Sequence, residues 1–206
     1  MIFFVRAAVF LLLALAIFLT NGRPLYAQDN TRQIIRRLTI VKYPLLLTFK
    51  INDQPLKGKE VAFPELGVRS LQFEAGADWL QNLTLSLENV SEKTITYAVL
   101  NLTFAQTATP DNPGVSLHQI ILGIDPDRKF VRAALRLAPK KSVEIRLEPE
   151  YPAIRTLVRD RIPPEQIRQV EVEIHAALFD DGTLFEAGVL HRRDPNDPKR
   201  WAPIKP

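Results

Sequence analysis

The side chains that could carry chemistry in this sequence are three histidines and several carboxylate pairs. Three imidazoles can ligate zinc, but His118, His175 and His191 lie far apart and none forms a closely spaced ligand pair. We therefore expect surface histidines. Glu171 and Glu173 share one face of a predicted strand, where two carboxylates could serve glycoside chemistry. Because valines alternate with them, a solvated strand face is the expected role.

Carboxylates also cluster in three turns, which could offer oxygen ligands to calcium. The pairs are Asp125 with Asp127, Asp180 with Asp181, and Asp194 with Asp197. Aspartate before proline or glycine is ordinary turn chemistry, which is the role we expect here. The sequence has no nucleophile elbow, phosphate-binding glycine loop, zinc-protease motif or dinucleotide fingerprint. It therefore predicts a non-catalytic protein without cofactor or metal, with an unrecognised hydrolase as a less favoured alternative.

Positive charge and an aromatic ring come together near the C terminus. The residues are Arg192, Arg193, Lys199, Arg200 and Trp201. They could bind an acidic partner, with Trp201 as the hot spot. The interpretation we favour is a tail that folds back over the domain, with Trp201 closing an open edge of the core.

A second cationic group, Arg32, Arg36 and Arg37, follows the hydrophobic N-terminal segment. If the chain stays anchored in a membrane, these arginines could attract anionic lipid headgroups. A solvated face beside a strand or short helix is the expected role.

The first 27 residues have the layout of a secretory signal. Arg6 precedes an apolar run over residues 7–19, and a Leu-Tyr-Ala sequence ends at Ala27. We predict cleavage after Ala27, which makes Gln28 the first residue of the mature chain. Alternatively the segment stays as an uncleaved anchor, because residues 2–19 approach the length of a membrane span. Both interpretations place the remainder outside the cytoplasm, in the periplasm or the extracellular space.

Composition narrows the class of protein. The 206 residues are 46% hydrophobic and 24% charged, which provides for one globular core. Exported eukaryotic domains of this size usually carry disulfides, so the absence of cysteine favours a bacterial envelope and excludes a thiol nucleophile. Loss of Arg6 and Arg23 with the leader lowers the formal charge from +4 to +2. Charge therefore gives no argument for nucleic-acid binding.

Apolar and polar residues alternate with period two along most of the mature chain, which predicts strands. The clearest are residues 45–51, 83–88, 94–104, 143–147 and 170–178. The apolar phase shifts inside 94–104, which predicts a bulge or burial on both faces. We expect 83–88 and 94–104 to form a hairpin. Residues 152–161 have the apolar spacing of the one predicted helix.

Three turn segments in the second half of the chain share a pattern. They are Leu87-Glu88-Asn89-Val90-Ser91, Leu137-Ala138-Pro139-Lys140-Lys141-Ser142-Val143, and Phe179-Asp180-Asp181-Gly182-Thr183 with Gly188. They resemble turns of the Ig-like or fibronectin-like β-sandwich modules in exported bacterial envelope proteins of uncharacterised role. Lys140 stands where such modules usually have glycine. The resemblance covers the chain from Leu83 onward and implies a fold, and because folds host unrelated functions no catalytic residue is carried over.

Together these patterns predict an all-β fold. We expect an Ig-like antiparallel β-sandwich of about eight strands, with one short helix between late strands and a preceding N-terminal signal helix. The expected divisions are a signal peptide or anchor at 1–27, an N-terminal β extension at 28–75, and the sandwich with its C-terminal tail at 76–206.

The expected function is a non-catalytic interaction or structural module of the bacterial cell envelope. Its partner would be another envelope protein, and it would contact membrane only through an uncleaved leader. The alternative is a small-ligand or carbohydrate-binding module, for which Trp79, Tyr97 and Trp201 supply the aromatic side chains. The oligomeric state is left open.

Overall fold

The computed structural model describes residues 30–37, 43–63, 67–107, 114–124 and 134–204. The predicted signal segment and the Asp125–Asp127 turn lie outside the described residues. Within them, no helix has both the length and the apolar character needed to cross a membrane.

Strands make up most of the described chain. They are β1 (Thr31–Arg37), β2 (Leu45–Ile51), β3 (Gln54–Pro55), β4 (Lys59–Phe63), β5 (Val68–Glu74), β6 (Leu83–Asn89), β7 (Ile95–Phe104), β8 (Ser116–Gly123), β9 (Ser142–Arg146), β10 (Gln169–Phe179), β11 (Thr183–Glu186), β12 (Val189–Asp194) and β13 (Asp197–Pro203). Among the described residues one α-helix, α1 (Tyr151–Val158), lies between β9 and β10, and 3-10 turns occupy Ala105–Thr107 and Pro164–Gln166. The predicted all-β fold with one late helix is confirmed, with more strands than expected.

The strands form two sheets that share a core. The small sheet has the order β3-β2-β6-β9 and is antiparallel throughout. In the large sheet β10 pairs with β7 along one side, and β7 pairs with β8. Along its other side β10 pairs first with β1 and then with β11. The large sheet therefore branches, through β1 to β5 and β4, and through β11 to β12 and β13. The pair β1–β10 is parallel, so the prediction of a purely antiparallel sandwich is wrong.

The predicted hairpin of 83–88 with 94–104 is also wrong. β6 pairs with β2 and β9 in the small sheet, whereas β7 pairs with β10 and β8 in the large one. The connection between them therefore crosses from sheet to sheet. Both strands bury one face in the common core, so their alternation looks the same as that of a hairpin.

The region predicted as an N-terminal β extension supplies strands to both sheets. β1, β4 and β5 belong to the large sheet, and β2 and β3 belong to the small one. Ile34 of β1 and Phe49 of β2 both lie in the common core, with 0% and 6% of their surfaces exposed.

The large sheet buries apolar side chains on both faces. Its inner face, towards the small sheet, holds residues such as Leu100 and Leu102 of β7. Tyr97 and Val99 of the same strand belong to a second cluster on the outer face. The β7–β10 register also shifts between Ile174 and Ala176 and between Leu178 and Phe179. Both features predicted from the phase change are confirmed.

Two of the three aromatic residues proposed for ligand binding are core residues. Trp79 is 1% exposed, and its indole Nε1–H donates to the carbonyl oxygen of Ile167 at 2.8 Å. Tyr97 is also buried. Because neither ring has a solvent-facing surface of useful size, the expectation that they line a ligand face is wrong.

Candidate functional site

The end of β6 and its connection to β7, residues 89–94, form a corner that is held by one buried side chain. Asn89 is completely buried. Its Nδ2 donates to the carbonyl oxygens of Lys93 and Leu137, both at 2.8 Å. Its Oδ1 accepts from the backbone N–H of Ser91 at 3.0 Å and from the Ser91 hydroxyl at 2.7 Å. All four hydrogen-bonding positions of the amide are filled.

The second turn segment, from Leu137 to Val143, lies against this corner. The backbone N–H of Lys140 donates to the carbonyl oxygen of Asn89 at 2.8 Å, and the N–H of Asn89 donates to the carbonyl oxygen of Lys141 at 2.9 Å. Lys140 has φ +60°, the left-handed region that favours glycine. The position therefore keeps the backbone of a glycine turn although its side chain is lysine.

The third turn segment, Phe179 to Thr183, completes the corner. The N–H of Asp180 donates to the carbonyl oxygen of Thr94 at 2.9 Å. Lys93 Nζ lies 2.7 Å from Asp181 Oδ2, and the Thr183 hydroxyl donates to Asp181 Oδ1 at 2.6 Å. The hydrogen bond from Lys93, followed by that from Thr183, lowers the pKa of Asp181 to about 2. The three segments that resemble Ig-like turns thus meet at one end of the protein.

A cavity of about 330 Å³, which we call the corner groove, opens beside this corner. It is lined by Tyr43, Pro44, Val90, Ser91, Glu92, Lys93, Phe179, Phe185 and Leu190. The Tyr43 ring packs edge-on against Phe185 with the ring centroids 5.2 Å apart. The Tyr43 hydroxyl oxygen is buried and finds no hydrogen-bond partner in the described part of the chain. The volume lies in the range of small-ligand pockets and of hot-spot pockets that accept one large side chain.

The cationic C-terminal segment is a hairpin of β12 and β13, not a tail. The two strands pair from His191 opposite Pro203 to Asp194 opposite Asp197. We call β12, β13 and the adjoining Ile204 the C-terminal hairpin. Trp201 packs against the second apolar cluster, and the Arg193 guanidinium lies 4.0 Å from its ring centroid, a cation–π contact. The favoured role of Trp201, closing an edge of the core, agrees with this packing.

Strand alternation places Arg192 and Arg193, two of the five predicted docking residues, on opposite surfaces. Arg193 lies opposite Trp201, and both belong to the outer face. Lys199 and Arg200 lie where the β12–β13 register shifts. Arg192 lies opposite Ala202 and belongs to the inner face. The structure therefore does not gather the five residues into one patch.

The inner face of the hairpin continues the apolar wall of the corner groove. Leu190 lies opposite Phe185 and is 42% exposed. The N–H of Ile204 donates to the carbonyl oxygen of Leu190 at 2.8 Å, and its side chain is 38% exposed. Arg192 is exposed beside them and has no ion-pair partner among the described residues. The result is an apolar strip with a cation at its border.

The three histidines lie on β8, β10 and β12. His118 faces inward and its Nε2 lies 3.1 Å from Glu150 Oε2, so the prediction of a surface histidine is wrong here. His175 lies at the β10 register shift, 3.8 Å from Glu186 Oε1. In the described ranges no three His, Cys, Asp or Glu side chains form a group that could hold a metal.

The acidic pairs within the described chain serve their turns. Asp194 Oδ1 accepts from the N–H of Asn196 at 2.8 Å, and Asp197 Oδ1 accepts from the N–H of Lys199 at 3.1 Å. These bonds are the turn chemistry predicted from the sequence. Glu171 and Glu173 lie on the outer face of β10, opposite Thr103 and Asn101 of β7.

Two of the three N-terminal arginines are not on a solvated face. Arg32 is 4% exposed. Arg36 donates to the carbonyl oxygen of Leu47 at 3.1 Å, pairs with Glu60 at 2.9 Å and lies over the Phe49 ring. Long aliphatic stems let arginines extend along apolar surface while the charged group finds partners. The side chain of Arg37 lies outside the described part.

Sequence reasoning missed the corner groove because its wall comes from five separate segments, one of which is the end of β10 at Phe179. Tyr43 precedes β2, Val90 lies in the corner, Phe185 is on β11 and Leu190 on β12. No spacing in the sequence connects them. The one local signal was Leu190, an apolar residue directly before the cationic run.

Comparison with known proteins leaves the geometry as the basis for a functional conclusion. No protein-family model matches the chain, and no curated protein and no solved structure matches it.

Proposed function

We propose that this protein is a non-catalytic interaction module of the bacterial cell envelope. It docks a partner protein through the inner face of the C-terminal hairpin and the corner groove. The observation that carries the proposal is the apolar wall of the groove, which continues onto the exposed side chains of Leu190 and Ile204.

The surface has the composition of a docking site. An apolar centre next to a pocket, bordered by an arginine, is the arrangement in which a few anchor side chains supply most of the binding energy. The groove would accept one apolar or aromatic side chain, and a hydrogen-bonding group on it would satisfy the Tyr43 hydroxyl. Arg192 favours a partner with a carboxylate beside that anchor.

Two features of the sequence support placing the module in the envelope, and the three turn segments support an Ig-like architecture. The leader has the layout of a secretory signal, and the chain has no cysteine. The three turn segments that resemble Ig-like modules meet at one end of the sandwich, next to the groove. An intact mass that begins at Gln28 is the expected result for the exported protein, and a mass that retains the apolar run would contradict cleavage.

Because the chain has no cysteine, single-cysteine variants can test the docking surface directly. Leu190→Cys, labelled with a photocrosslinker in envelope preparations, should give one stoichiometric adduct with a partner protein. Leu46→Cys, equally exposed on β2 of the small sheet, is the matched control and should give none. Adding Ile204→Glu to the Leu190→Cys variant should abolish the adduct without unfolding the protein. Equal adducts from both cysteines, or an adduct that is insensitive to Ile204→Glu, would refute this docking surface.

The second candidate function is small-ligand binding, and the aromatic wall and buried hydroxyl of the groove favour it. Native mass spectrometry of protein isolated from its envelope would then show a bound small molecule. Tyr43→Phe should weaken that adduct, whereas Ile204→Glu, outside the cavity lining, should leave it intact. The opposite sensitivities distinguish a ligand in the cavity from a protein on the hairpin.

A further inference from the structure

Sheet edges carry unpaired N–H and C=O groups, and natural proteins protect them with proline, charge or short strands. Four of the five edge strands in the described part of the chain have such protection. β13 contains two prolines and two cations, β4 contains Lys59 and Glu60, β9 contains Glu144 and Arg146, and β3 has two residues.

β8 is the exception. Its sequence, SLHQIILG, has no proline and no acidic or strongly basic residue over eight positions. It pairs with β7 from Ser116 to Gly123, and in the described chain no strand lies along its other side. Helix α1 contacts β8 on the inner face, where His118 lies 3.1 Å from Glu150 at the start of the helix, and Leu117 and Gln119 on the outer face stay exposed. Leu117 on the outer face is 45% exposed. A long, uncharged edge strand is a template for pairing with another strand.

We propose that β8 pairs antiparallel with β8 of a second copy of this chain, about a two-fold axis perpendicular to the sheet. Such an axis keeps the outer faces of both copies on one side, so outer-face residues lie opposite each other. A register centred on Gln119 places Leu117 opposite the second copy's Ile121, and Ile121 opposite the second copy's Leu117. Ile121 already packs against the second apolar cluster. The dimer would therefore extend this cluster across the axis and cover Leu117.

A second copy is the occupant that the edge fits best. Charged side chains on an edge strand oppose pairing, and in a homodimer both strands of the joint have the uncharged sequence of β8. Two-fold dimers are also the commonest protein assemblies. β7, β10 and β11 separate β8 from the C-terminal hairpin in the large sheet. Pairing at β8 therefore leaves the proposed docking surface of each copy free, and the dimer would bind its partner twice.

The test uses the full exported chain, purified without any partner. Gln119→Cys should form an intermolecular disulfide under mild oxidation at least about tenfold more than Ala62→Cys, an exposed cysteine on the protected edge β4. Sedimentation at concentrations up to about 100 µM should show a dimer that Leu117→Lys converts to monomer. Leu46→Lys, at a similarly exposed leucine of β2, should leave the dimer intact.

The outcomes separate this proposal from the docking function. Ile204→Glu should abolish partner binding and leave the dimer unchanged. A monomer at all concentrations overturns the inference, as does a dimer that neither crosslinks through Gln119→Cys nor responds to Leu117→Lys. An unchanged far-ultraviolet circular dichroism spectrum and a cooperative thermal transition confirm that Leu117→Lys is folded, with a Tm below that of the dimer because dimerisation stabilises the native state.

Discussion

Replacing Asn89 with alanine should destabilise the protein by about 2–3 kcal/mol. The substitution removes four hydrogen bonds made by a completely buried amide. The bonds to Ser91 and to the Lys93 carbonyl are partly buried, so their loss costs roughly 0.5 kcal/mol each. The Leu137 carbonyl oxygen loses its bond from Nδ2 inside the core but keeps the one from the Ile95 N–H at 2.9 Å, so this loss adds about 1 kcal/mol.

Urea unfolding, followed by tryptophan fluorescence and far-ultraviolet circular dichroism, measures this free energy. The slope with urea should not change, because the surface exposed on unfolding stays the same. Asn82→Ala is the matched control, since the Asn82 amide donates to Asp78 at 2.7 Å on the surface and its loss should cost less than about 1 kcal/mol. An Asn89→Ala variant no less stable than Asn82→Ala would refute the idea that one amide holds the corner.

Two further perturbations follow from the backbone and from charge. The pKa of Asp181 is about 2 in the folded state, below its ordinary 3.8, so its pair with Lys93 contributes fully above about pH 4 and is lost as the pH falls towards 2. Asp181→Asn should therefore make Tm depend less on pH between about pH 4 and about pH 2. The stability lost is at most about 1 kcal/mol because the pair is exposed. Gly123 has φ +84°, and a Cβ there would lie 2.2 Å from the Thr96 carbonyl oxygen. Gly123→Ala should cost about 3 kcal/mol or more, against about 1–2 kcal/mol for Gly182→Ala, where φ is +77° and the space is open. Equal losses in calorimetry for the two alanine variants would contradict the steric argument.

The strands could be predicted from sequence because alternation reports directly on which side of a sheet is buried. β10 shows this, since Val170 and Val172 face the core and Glu171 and Glu173 do not. The helix could be predicted because its apolar residues recur at helical spacing, and Ile154 and Val158 are its buried residues. Alternation carries no information about the neighbour of a strand. Whether β6 turns back on itself or crosses to the other sheet depends on contacts such as that of Asn89 with Leu137, which are distant in sequence.

The pairing of β1 with β10 could not be predicted either, because alternation does not identify the partner of a strand. β10 has eleven residues, and β1 and β11 share one of its sides in succession. A parallel partner from the start of the chain leaves no turn signal, because no short loop joins the two strands. The sequence therefore indicated an N-terminal extension where the fold has a central strand.

The candidate site shows why a cluster in the sequence is not a cluster in space. Arg192 and Arg193 are neighbours in the chain, but on a strand they belong to opposite faces. Arg193 makes a cation–π contact with Trp201 on the outer face. Arg192 borders the apolar strip formed by Leu190 and Ile204. On a helix, neighbouring cations can lie on one side. The sequence pattern alone predicted a single docking surface for these residues. The physical site is defined by the sheet face, so substitutions at 190, 192 and 204 should act together in partner binding, and a substitution at 193 should act on the stability of the hairpin instead.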